Sequence, residues 1–219
     1  MTIRLHNVDA VQQRADAQRQ LRRHGPALDV RAIPSFGFGH RSLMWWGTLG
    51  LIAIEGTLFA LAVLTYFYLR SHADTWPPAE GPPELRWGTL NTLLFAISYW
   101  PALRTKQAAE QIDLPKVRFW LTLSTVAALA ILGVRVLEFM TLNCRWDSSA
   151  YGSVVWMLIG LHTVHLLTDA YDTAVLNVLM FTGPVEGQRF VDVSENALYW
   201  FFVVFSWLPI YAVLYWAPR

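Results

Sequence analysis

Long apolar stretches alternate with short polar ones along this chain, and most of the apolar stretches reach bilayer length. A hydrocarbon core of roughly 30 Å needs about 20 apolar residues in helical form. Five segments are candidates: Leu43 to Leu69, Gly88 to Leu103, Phe119 to Leu142, Tyr151 to Leu176 and Ala197 to Trp216. The predicted fold is all-α: a polytopic bundle of five transmembrane helices over residues 42–219, behind a polar segment and interfacial lead-in over residues 1–41. The second span is short, and Pro101 near its end predicts a distorted last turn. Aromatic residues bracket the spans (Trp45, Trp46, Tyr66, Tyr68, Trp87, Trp100, Trp120, Tyr199, Trp200, Tyr215, Trp216) and read as belts at the membrane interface. Residues 8–23 read as a short polar helix. Residues 71–86, rich in proline and carrying acids, read as a stiff extended excursion.

Composition agrees with the pattern. Charged residues make up 15 % of the chain, against about a quarter in soluble domains, and they crowd into residues 1–41 and the loops. Residues 1–33 carry Arg14, Arg19, Arg22, Arg23 and Arg31 without an apolar run, so they do not read as a signal peptide. Cys144 stands alone, which excludes a disulfide framework, and a net charge of +1 argues against a nucleic-acid partner. Lys and Arg set the orientation. With the N-terminus cytoplasmic, the inner segments hold twelve of them and the outer segments four, a bias that predicts N-terminus inside and C-terminus periplasmic.

Ionisable groups inside spans are costly and by default mark function. The candidates are Glu55, Arg135, Glu138, His162, His165 and Asp169. His162, His165, Asp169 and Asp172 follow helical spacing and fall on one stripe of the fourth span. Arg135 and Glu138 stand at ion-pair spacing. Glu55 lies about 18 Å from the start of its span and His162 about 16 Å from the start of the fourth, at 1.5 Å per residue. Entered from opposite surfaces, both reach the midplane, so Glu55 is expected to be protonated or paired at that depth, with His162 as the depth-matched candidate. Two His at i, i+3 without a third ligand form a weak metal signature; a polar seam fixing helix register is the commoner meaning. Of six histidines, His6, His24, His40 and His72 lie outside the spans. The remaining two cannot ligate two haems and a copper, so this is not a catalytic haem–copper subunit.

Tyr151-Gly152-Ser153 followed by Gly160-Leu161-His162-Thr163-Val164-His165 resembles a signature of the cytochrome c oxidase subunit III family. Glu55 centred in the first span, with Tyr66-Phe67-Tyr68-Leu69-Arg70 at its end, looks like that family's buried-glutamate helix. Asn91-Thr92-Leu93-Leu94 and Glu138-Phe139 match two further motifs, so the resemblance covers residues 43–175 in order. The chain resembles the five-helix form of the family, whose glutamate helix also runs from inside to outside. The last helix departs: Glu195 and Tyr199-Trp200 are recognisable, but Phe201 and Val204 stand where His and Asp are expected. That departure suggests a divergent branch, such as the subunit III-like protein found beside nitric oxide reductases.

The resemblance implies a non-catalytic subunit of an oxygen-reducing, proton-pumping terminal oxidase in aerobic respiration, in the bacterial inner membrane. It implies no cofactor in this chain, haem and copper in partner subunits, and docking mainly on subunit I, with subunit II also in the complex. It further implies bound phospholipid and support of proton uptake. Two other readings compete: an accessory protein of a nitric oxide reductase, and an independent proton-coupled transporter. Against the transporter stands the absence of internal repeats.

Overall fold

The computed structural model describes residues 36–78 and 81–218. The polar helix expected over 8–23, and all of the segment 1–41 before Phe36, lie outside the described residues. Among the described residues the regular structure is helical: α1 (Leu43–Ser71), α2 (Leu85–Glu110), α3 (Leu114–Met140), α4 (Ala150–Thr182) and α5 (Gly187–Tyr211). A 3-10 turn at Gly39–Arg41 precedes α1, and a π-helical turn at Ala212–Trp216 continues α5. Four helices are long and apolar enough to cross a membrane: α1, α3, α4, and α5 together with its π turn. With its 26 residues α2 has the length, but buries Asn91, Ser98 and Thr105 and is less apolar.

Local chemistry sets the helix starts. The Ser42 hydroxyl accepts from the Met44 amide at 3.2 Å, and that of Ser149 from the Gly152 amide at 3.1 Å. Such caps satisfy amides that have no partner within the helix. Asp113 caps α3 by accepting from the Lys116 amide at 3.2 Å, and Pro115 occupies the first turn, where its missing amide costs nothing. The side-chain hydrogen bond from Lys116 holds the Asp113 carboxyl below its ordinary value.

Several helices run past the predicted spans because polar residues at their ends are paired rather than free. Extension of α2 to Glu110 carries the Lys106–Glu110 ion pair at 2.9 Å. Similarly, α5 begins ten residues before Ala197, at Gly187, and Ser194 accepts from Lys106 Nζ at 2.8 Å. Pro101 is therefore not at a helix end. It sits buried inside α2, where Thr105 Oγ1 donates to its carbonyl at 2.9 Å. Neighbouring helices and hydroxyls hold the turn that the missing amide weakens.

Short connections fold successive helices back on one another: α2 packs on α3 and α5, α3 on α4, and α4 on α5. By contrast α1 is peripheral, touching α4 and α5 along one side. Only 11 % of its apolar window is buried, against 50 % for α4. One hydrophobic cluster, including Tyr66, Phe95, Ile131, Leu158 and Trp207, fills the bundle. A smaller one, including Val117, Leu121, Met180 and Phe190, closes the end where α2 and α4 stop and α3 and α5 start. The excursion over 71–86 is not simply extended. It bends, begins α2 at Leu85, and plugs Trp76 against Tyr66 and Tyr151.

Candidate functional site

Two polar arrangements meet on α4. The first is buried among α2, α3, α4 and α5. Arg135, 1 % exposed, donates from Nη1 to Glu138 Oε2 at 2.9 Å, and its Nη2 lies 3.2 Å from His162 Nδ1. The guanidinium carbon sits 4.0 Å from the centre of the Trp207 ring, a cation–π contact in a desolvated place. Glu138 also accepts from Asn91 Nδ2 at 3.0 Å and from the Tyr215 hydroxyl. Gly88 makes the last contact possible, because a Cβ there would stand 2.4 Å from the Tyr215 ring. His162 Nε2 lies 3.0 Å from the Val203 carbonyl. A carbonyl only accepts, so Nε2 carries the hydrogen and Nδ1 is the acceptor for Arg135. The imidazole is fixed in one neutral tautomer, with both nitrogens used by protein. This chemistry locks helices in register and leaves no free imidazole nitrogen for a metal.

The second arrangement opens on a groove. Glu55 Oε2 accepts from the Tyr199 hydroxyl at 2.5 Å, while Oε1 lies 3.4 Å from His165 Nε2. His165 Nδ1 donates to the Leu161 carbonyl, 2.7 Å away, so Nε2 is the ring nitrogen that faces Glu55. Beyond it Asp169 accepts from Asn196 Nδ2 at 2.8 Å, and Asn196 Oδ1 accepts from Thr173 at 3.0 Å. Glu55, Tyr199, Asp169 and Asn196 line a groove of about 580 Å³ between α1 and the α4–α5 pair. Among the described residues its lining holds five carboxylates, those of Glu55, Asp169, Asp172, Asp192 and Glu195, and no Lys, Arg or His. Glu195, 3 % exposed, has no protein partner for either carboxylate oxygen among the described residues, and neither has Asp169 Oδ2. A groove so lined can hold protons, water or cationic groups.

The pairing of Glu55 with His162 predicted from depth does not form. Glu55 meets His165, one turn closer to the acidic end, and His162 belongs to the Arg135 network. Depth counted from helix ends ignores tilt and rotation; both ring nitrogens of His162 are taken up by Arg135 and the Val203 carbonyl. The stripe of His162, His165, Asp169 and Asp172 accordingly does not converge. Its members serve the buried network, the Glu55 pair and the acidic groove in turn. Among the described residues no group of three or more His, Cys, Asp or Glu could hold a metal ion.

Sequence reasoning did not assign Tyr199, Tyr215, Asn196 or Trp207 to the site. Tyr199 and Tyr215 read as interfacial belt residues, yet Tyr199 lies mid-helix and Tyr215 is buried at 1 % exposure. Tyr66 and Trp200 are likewise buried, the latter donating to Ser98 Oγ at 3.1 Å. Phe201, at one of the two departures from the family pattern, stacks on Tyr99 at 4.9 Å, and Val204, at the other, is buried.

The family model described as cytochrome c oxidase subunit III matches residues 90–218, from α2 to the end of the bundle. The cytochrome c oxidase subunit 3 of Thermostichus vulcanus is 24 % identical over 172 residues, covering 77 % of this chain and 85 % of that protein. That of Bacillus subtilis is 24 % identical over 168 residues, 74 % of this chain and 80 % of the relative. A heme-copper oxidase subunit I+III from Aeropyrum pernix is 21 % identical over 197 residues, which are 80 % of this chain and 22 % of that longer protein. The matched range contains the whole Arg135–Glu138–His162 network together with its partners on α2 and α5, and on this ground the chain belongs to the cytochrome c oxidase subunit III family.

Proposed function

We propose that this chain is the non-catalytic subunit III of a cytochrome c oxidase-type haem–copper terminal oxidase, working in aerobic respiration in a bacterial inner membrane. The observation that carries the reading is the family match across more than half of the chain. All five helices cross the bilayer, with residues 1–41 cytoplasmic, residues 42–219 forming the bundle and the C-terminus periplasmic. The chain docks chiefly on subunit I, with subunit II in the same complex; a relative whose name combines subunits I and III supports that neighbourhood. Haem and copper reside in the partners. This chain contributes a rigid scaffold through the Arg135 network, lipid binding between helices, and proton uptake through the Glu55–His165–Tyr199 group and the acidic groove.

The test is affinity purification of the tagged chain from its native membranes in mild detergent. Haem absorbance, a copper-containing subunit I and oxygen consumption should co-purify with it. Recovery with a nitric oxide-reducing complex instead would favour the divergent branch suggested by Phe201 and Val204. Recovery alone, active as a transporter, would end the subunit reading.

A further inference from the structure

The groove between α1 and the α4–α5 pair is long, and its acids are spread along it. On α1 the lining runs from Met44 to Glu55, eleven residues or about 16 Å at 1.5 Å per residue. On α5 it runs from Asp192 to Tyr199, seven residues or about 10 Å. Because the Tyr199 hydroxyl meets Glu55, these two close one end and Asp192 stands towards the other. Asp172 of α4 lies between them, and the walls are otherwise largely apolar, with Leu51, Val175 and Leu176 among them.

The protein leaves this charge uncompensated. Asp169 uses Oδ1 on Asn196 Nδ2 at 2.8 Å, but its Oδ2 has no hydrogen-bond partner among the described residues, and neither has either carboxylate oxygen of Glu195. Both residues are 3 % exposed, and carboxylates held out of water without partners are costly. Lys106 is already taken by Glu110 at 2.9 Å and Ser194 at 2.8 Å. In front of the two deep acids stand accessible ones, with Asp172 exposed and Asp192 and Glu55 half-buried. Among the described residues no three such groups converge as a metal site. The groove offers charge at intervals with hydrocarbon between.

We propose that this groove is a binding site for a linear aliphatic polyamine, with ammonium groups at Asp192, Asp172 and Glu55 and the methylene spacers along Leu51, Val175 and Leu176. Hydrogen bonds from ammonium to carboxylate are charge-assisted and roughly twice as strong as neutral ones. The spacers bury apolar area, which neither a proton nor a metal ion does. Once one ammonium is seated, its linked neighbours are held at high effective concentration. The buried charges of Asp169 and Glu195 add attraction from behind the wall, at short range and away from bulk water. The site depends on the groove alone, and neither on which complex the chain joins nor on proton uptake.

The full chain, purified in an uncharged maltoside detergent, is titrated by calorimetry with spermidine, putrescine, butylamine and magnesium chloride at one ionic strength. Spermidine should bind about tenfold tighter than putrescine or magnesium, and butylamine most weakly. Asp192→Asn should weaken spermidine about tenfold, the worth of one charge-assisted hydrogen bond. Leu51→Trp, at an exposed position of α1, fills the groove with every acid in place and should weaken spermidine as well. Glu186→Gln, at an exposed acid outside the groove, should leave the affinity unchanged. Magnesium bound as tightly as spermidine, spermidine no tighter than butylamine, an affinity that survives both Asp192→Asn and Leu51→Trp, or equal loss in Glu186→Gln would overturn the proposal.

Discussion

Arg135 shows how a single charge becomes tolerable inside a membrane bundle. Placing it there costs about 2.5–3.5 kcal/mol on insertion scales, and Glu138, His162 and the Trp207 ring together replace its water. Removing one partner of a buried pair costs more than removing both, because the survivor keeps an uncompensated charge. Arg135→Met should therefore destabilise the chain by about 3–5 kcal/mol, and adding Glu138→Leu should recover part of that loss. Denaturant titration of the three proteins in one detergent measures it, and strict additivity would show that the pair is not coupled. Glu55 differs, because its partners are hydrogen-bonding groups at the edge of a groove. Glu55→Gln keeps an acceptor for Tyr199 and a donor towards His165, so the fold should survive. Glu55→Ala leaves both unsatisfied and should cost about 1–3 kcal/mol. In the intact complex, Glu55→Gln should slow oxygen consumption or shorten its lifetime under turnover with the subunit still present. Unchanged rate, pumping ratio and lifetime would leave Glu55 a purely structural role.

At the level of elements, the helices divide into a tight group of four and a peripheral fifth. The tight group is joined at its ends by contacts that leave no room for side chains. Gly152, the second residue of the Tyr-Gly-Ser motif, packs against the loop before α4, and a Cβ there would lie 2.1 Å from the Arg145 carbonyl oxygen. Gly133 in α3 has nothing within 4 Å of its Cβ position. The two therefore predict opposite signs for the same change. Gly152→Ala should lower stability by about 1–3 kcal/mol through overpacking. Gly133→Ala should raise it by up to about 1 kcal/mol through helix propensity. Melting curves of both variants decide it, and a neutral Gly152→Ala would mean that the loop over Arg145–Ser148 yields freely. The end of α5 obeys a different rule. Pro209 cannot donate to the Phe205 carbonyl, and the helix relaxes into the π turn at Ala212–Trp216. That turn sits where Tyr215 faces Glu138.

Over the molecule as described, Lys and Arg are unevenly distributed between the two ends. Arg104, Lys106, Lys116, Arg118 and Arg189 gather at one end, tied there by the Lys106–Ser194 and Arg118–Met180 contacts. Arg70, Arg86 and Arg145 lie at the other, where Asn143 Nδ2 donates to the Pro82 carbonyl at 3.0 Å. The basic end should face the cytoplasm. In spheroplasts a membrane-impermeant maleimide should label Ser71→Cys, and should reach Gln107→Cys only after lysis. Both positions are exposed, so the reverse pattern would invert the topology.

Apolar run length alone determined that this is a helical membrane protein and located the four helices apolar enough to span a bilayer. The positions of those spans follow from hydrocarbon thickness, which acts on each segment separately. The polar residues that mark the interior, Glu55, Arg135, Glu138, His162, His165 and Asp169, were legible for the same reason, since each is costly wherever its helix goes. Which of them meet was not legible, because pairing depends on helix tilt, overhang and rotation, and those are set by neighbours. Glu55 therefore met His165 instead of His162, and Tyr199 and Tyr215, indistinguishable from belt residues along the chain, turned inward to carboxylates. Polar helix ends such as Lys106 to Glu110 and Gly187 to Asn196 read as loops until partners on another helix satisfied them. Only tertiary packing could also gather the carboxylates of Glu55, Asp169, Asp172, Asp192 and Glu195 around one groove, because they come from three helices whose positions in the chain lie far apart.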